Sequence, residues 1–92
     1  MKVTKYNVQA CCGKMAVFYK TDRPLINSHL SELSSYGFKE HENFSKAGIL
    51  YVDNLDFILT GPLGSDRLQV KCKSSDCEKK LADLEAILSK LG

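Results

Sequence analysis

Apolar residues in this chain recur at two periods, and the switching between them constrains the fold more than any other feature. "RLQVKCK", residues 67–73, alternates without a fault: Leu68, Val70 and Cys72 fall on one side, and Arg67, Gln69, Lys71 and Lys73 on the other. That is the pattern of a strand with one buried face. Shortly after it, Cys77, Leu81, Leu84, Leu88 and Leu91 recur at steps of four and three, with Ile87 widening the stripe. Such spacing predicts a helix with one buried side. "SDCE" just ahead of it reads as a capping box, in which Ser75 caps the helix and Glu78 reaches back, and Gly92 closes it.

The earlier chain shows the same two periods. "MKVTKYNVQACCGKMAVFYK" predicts a hairpin turning at Gly13-Lys14, with Cys12 opposite Met15, Ala10 opposite Val17 and Val8 opposite Tyr19. Tyr6, Val8, Ala10, Cys12, Met15, Val17 and Tyr19 then share one face, and Lys5, Asn7, Gln9, Cys11, Ala16, Phe18 and Lys20 the other. "TDRPLINSHLSELSSYGF" predicts a helix with Pro24 in its first turn and Leu25, Ile26, Leu30 and Leu33 as its buried stripe. Gly37 can take the left-handed conformation that stops it, with Phe38 folding back on Leu33. "FKEHENF" alternates weakly as a strand. A second hairpin follows, turning at Asp53-Asn54, with Leu50, Val52, Leu55, Phe57 and Leu59 on one face and Ile49, Tyr51, Asp56 and Ile58 on the other. "GPLGSD" is a loop.

Strands and helices that each have one apolar side satisfy one another in two layers. The expected fold is α+β, a single domain over residues 1–92. A curved antiparallel sheet carries two helices on one face, in the order ββ-α-ββββ-α, and its other face stays open. A helix, four strands and a closing helix that ends in "ILSKLG" resemble, as a topology, the plan of a TATA-binding-protein half-domain.

Composition narrows the function. The 92 residues are 43% hydrophobic and 26% charged, with a formal net charge of +2. This is globular composition, and the charge permits a nucleic-acid partner without arguing for one. No apolar run resembles a signal peptide or a membrane span, so a soluble, cytoplasmic protein with reduced thiols is expected. Of the four cysteines, Cys12, Cys72 and Cys77 fall on buried sides and read as small apolar core residues. Cys11, on the open face, and Cys77, in the first turn of a helix that favours thiolate, are the candidate reactive thiols. Cys72 and Cys77 are spaced acceptably for a metal site, but adjacent Cys11 and Cys12 fall on opposite faces. His29 and His41 have no ligand-like spacing, so neither a metal nor a cofactor is expected.

No catalytic constellation emerges. "KEHENF" puts His41 on the opposite side from Glu40 and Glu42; "DNLD" lacks the glycine and distal glutamate of a calcium loop and reads as a turn. No small-molecule substrate is predicted. The open face is the remaining candidate. Phe18, Ile49, Tyr51 and Ile58 form its apolar centre, and Lys20, Arg67, Lys71 and Lys73 its basic rim. Bare apolar groups there point to a protein partner or a second copy. Nucleic acid on the same basic and aromatic face is the alternative, and a thiol enzyme or redox sensor acting through Cys77 or Cys11 is a third reading.

Overall fold

The computed structural model describes residues 1–11, 14–73 and 77–91, without the side chains of residues 11 and 14. Its elements in chain order are β1 (Val3–Cys11), β2 (Lys14–Thr21), α1 (Asn27–Ser35), β3 (Lys39–Glu40), α2 (Glu42–Lys46), β4 (Ile49–Asp53), β5 (Phe57–Pro62), β6 (Arg67–Cys72) and α3 (Cys77–Ser89). The strands form one open antiparallel sheet in the order β1-β2-β6-β5-β4-β3. The fold is α+β, as the two periods predict.

Alternation sets the inner face. Val17, Tyr19, Leu50, Val52, Phe57, Leu59, Leu68 and Val70 are buried in a single core cluster with Leu30 and Leu33 of α1 and Cys77, Leu81, Leu84 and Leu88 of α3. Phe38 and Leu91 join the same cluster. Helix α1 stops as expected. Gly37 has φ 95, its N–H donates to the Ser34 carbonyl at 3.1 Å, and the Phe38 N–H donates to Leu33 at 3.2 Å. These two bonds are the paired cap that a left-handed residue allows.

Local register departs from expectation in four places. In the first hairpin Ala10 pairs with Met15, Val8 with Val17 and Cys11 with Lys14. Lys14 thus lies in β2 opposite Cys11, not in the predicted turn, and Gly13 and the expected inward Cys12 lie outside the described residues. The shift is two residues, so Val8, Ala10, Val17 and Tyr19 keep a common face. Tyr6 does not, because a bulge between Lys5 and Asn7 adds one residue to β1 and inverts the alternation there.

In the second hairpin Val52 pairs with Leu59 and Asp53 with Ile58. Leu55 therefore sits at the tip and is 89% exposed, not inward. Asn54 explains the wider loop. Its side-chain oxygen accepts from the Asp56 N–H at 2.9 Å and the Phe57 N–H at 2.8 Å, a side-chain turn that fixes three residues between the strands.

Helix α1 begins at Asn27, after Pro24, and its stripe shifts accordingly. Ile26 is extended at the cap and 48% exposed, while His29 is buried in its place. The His29 Nδ1 accepts the Ile26 N–H at 3.1 Å, satisfying one of the helix's free donors. Finally, the "KEHENF" stretch is only a two-residue strand followed by the short helix α2. Ser75, the expected cap of α3, and Gly92, its expected end, lie outside the described residues.

Candidate outer-face docking site

The sheet's outer face is built from cross-strand rows. Asn7 pairs with Phe18, Phe18 with Gln69, Gln69 with Thr60, and Thr60 with Tyr51. A second row runs Gln9, Ala16, Lys71, Ile58, Asp53. Lys20 pairs with Arg67, and Ile49 with Pro62. By this register Phe18, Lys20, Ile49, Tyr51, Ile58, Arg67 and Lys71 project from the outer face, and Lys73 follows at the end of β6. They do not form one patch.

Phe18, Ile49 and Arg67 line a shallow concavity of about 340 Å³, together with Tyr6, Pro62 and Gln69. Tyr6 reaches this face because of the bulge and is 49% exposed. Its ring lies 6.2 Å from that of Phe18, and the Arg67 guanidinium sits 4.9 Å over it. An Arg so placed is held by the ring's negative face while keeping its planar donors outward. Asp66 also holds Arg67, at 3.4 Å, and approaches Lys20 at 4.0 Å.

At the other end of the face, α2 lays Phe44 on Tyr51. The rings stack at 4.5 Å, and His41 meets Tyr51 edge-on at 4.7 Å. His41 Nε2 lies 2.8 Å from Asp53 Oδ1, and Lys73 Nζ donates to Asp53 Oδ2 at 3.2 Å and to the Asn54 carbonyl at 2.9 Å. The hydrogen bond with His41 is the largest effect on the Asp53 carboxyl and holds it below its ordinary value, against the opposing effect of burial and with Lys73 adding to it. Tyr51 and Lys73 therefore serve local structure first.

Sequence reasoning missed Tyr6, Pro62, Phe44 and the His41–Asp53 pair. For Tyr6 no signal was available, because an even shift of the hairpin register leaves it on the face of Val8 and only the bulge carries it across. The bulge itself has no marker in "KYN". Phe44 and His41 join the face through a helix of five residues, too short to show a period.

The cysteines require a correction. Cys72 and Cys77 form a disulfide, their Cα atoms 5.5 Å apart, joining the end of β6 to the start of α3. Cys77 is buried as expected but is not a free thiol, because strand and helix bring the two sulfurs together. The Cys11 side chain lies outside the described residues. Among the described residues no three His, Cys, Asp or Glu side chains converge as metal ligands, and no helix is long and apolar enough to cross a membrane. Comparison of the chain with protein-family models, with curated proteins and with solved structures gave no match.

Proposed function

We propose that this chain is a small, non-enzymatic binding module that docks a protein partner on the outer face of its sheet. The carrying observation is the concavity in which Tyr6 and Phe18 present their rings beside Ile49 and Pro62, with Arg67 at its rim. Tyr and Arg are the residue types that most often dominate protein interfaces, and a concave apolar centre with a polar rim is the usual anatomy of one. Gln69 and Thr60, which follow Phe18 along the same cross-strand row, can bond a partner's backbone.

Charge favours protein over nucleic acid. Arg67 and Lys20 lie against Asp66, and Lys73 against Asp53, so carboxylates already occupy much of the positive charge that phosphates would need. Affinity capture with the wild-type chain, a Tyr6→Ala variant and a Lys71→Glu variant, each with and without nuclease, tests this. A protein retained by the wild type should be lost with Tyr6→Ala, at a cost of about 2 kcal/mol in affinity. Lys71→Glu, nuclease and added salt should change little. Capture that collapses with nuclease or falls steeply with salt would replace this reading with the nucleic-acid one. Capture indifferent to Tyr6→Ala would end both.

A further inference from the structure

The two edges of the sheet are unequal. Strand β3 is two residues long, which leaves little unpaired backbone. Strand β1 is nine residues long and, among the described residues, pairs only with β2, so one side of its backbone offers free donors and acceptors. Long exposed edges are templates for pairing, and proteins usually blunt them with charge, proline or a bulge. Here the blunting covers half of the strand. Lys5 and the bulge guard the first part, whereas residues 7–11, "NVQAC", are in unbroken register with β2 and contain no charged residue and no proline.

The side-chain pattern of that stretch is self-complementary. Val8 and Ala10 project to the helix side of the sheet, yet the helices do not cover them: Val8 is 47% exposed and Ala10 is exposed as well. Asn7 and Gln9 project to the outer side. An antiparallel pairing about a two-fold axis at Gln9 uses the whole uninterrupted stretch. It sets Val8 against Ala10 of the second copy, Ala10 against Val8, and the two Gln9 amides side by side. No like charges meet, and every alternate backbone group finds a partner whichever set points outward.

We propose that residues 7–11 join a second copy of this chain, making one continuous sheet across a two-fold interface. This surface is separate from the concavity, so it stands or falls independently of the outer-face reading.

Light scattering on size-exclusion fractions over a range of concentrations, with Gln9→Lys and Gln9→Glu variants, tests the pairing. Gln9 is exposed, so neither change should move the thermal midpoint of the monomer. The wild type should show a concentration-dependent dimer. Each variant alone places like charges directly opposite and should raise the dissociation constant about tenfold. Mixing the two variants in equal amounts should restore association, because opposite charges then meet. The proposal is overturned by a wild type that stays monomeric up to its solubility limit, by a dimer indifferent to both variants, or by a mixture that fails to recover. A dimer lost with Tyr6→Ala but kept by both Gln9 variants would likewise overturn it and assign self-association to the outer face.

Discussion

Tyr19 faces the helices from β2 with no exposed surface, and among the described residues its hydroxyl has no hydrogen-bond partner. Burial first, and the Glu85 carboxylate second, push its ionisation up to about 12 from an ordinary 10.0. The folded state then keeps a proton that the unfolded chain releases. Its contribution to stability is complete below pH 10 and is lost as the pH rises towards 12. Tyr19→Phe should remove both effects. We expect it to raise stability by about 1 kcal/mol at neutral pH and to flatten the alkaline limb, as read by chemical denaturation at several pH values. Gly61 presents the opposite case, a residue whose missing atoms matter. A Cβ there would lie 2.5 Å from the Arg67 carbonyl oxygen and 2.8 Å from Leu25 Cδ1. Gly61→Ala must push β5 from β6 or displace Leu25, and should cost about 2 kcal/mol in the same assay. Sequence alone put Gly61 in a loop, since close approach by a carbonyl from another strand leaves no trace in "TGPLG".

Among the elements, α2 is held by few contacts. It has no buried residue, and it is tied down by the Phe44–Tyr51 stack and by the His41–Asp53 bond just ahead of it. A carboxyl held below its ordinary 3.8 contributes stability above that value and loses it as the pH falls through the lower folded value. His41→Ala should therefore move the Asp53 carboxyl upward, partway because Lys73 remains, as followed by NMR titration. Amide exchange in α2 should quicken in the same variant. The junction between β6 and α3 is tied more firmly. The Cys72–Cys77 bond spans five positions, and Lys80 of α3 bonds Asp56 in the turn before β5 at 3.0 Å. Closing so short a loop stabilises by about 2 kcal/mol in the chain-entropy view. Treatment with a dithiol should lower the unfolding free energy by about that amount, and a Cys77→Ser variant should not respond to it.

At the scale of the whole molecule, the two longer helices cover one face of the sheet, and α2 screens only the Tyr51 end of the other. The remaining surface divides into the concavity and the free edge of β1, and the two proposed contacts use different sides of the same hairpin. The layered arrangement was legible in the sequence because burial is a one-dimensional signal. Period-two runs such as "RLQVKCK" and the Cys77–Leu91 stripe each declare which side must leave water, whatever they pack against. Parity survived even where register did not, since the hairpins slipped by even numbers of residues and left Val17, Tyr19, Val52 and Leu59 inward. What the tertiary structure decided was everything set by contacts between distant segments. The bulge carried Tyr6 across to Arg67, α2 brought Phe44 onto Tyr51, His29 displaced Ile26 from the core, and two cysteines met as a disulfide. None of these alters the apolar pattern of its own segment. Each follows from where a neighbouring strand or helix lies, which local periodicity does not encode.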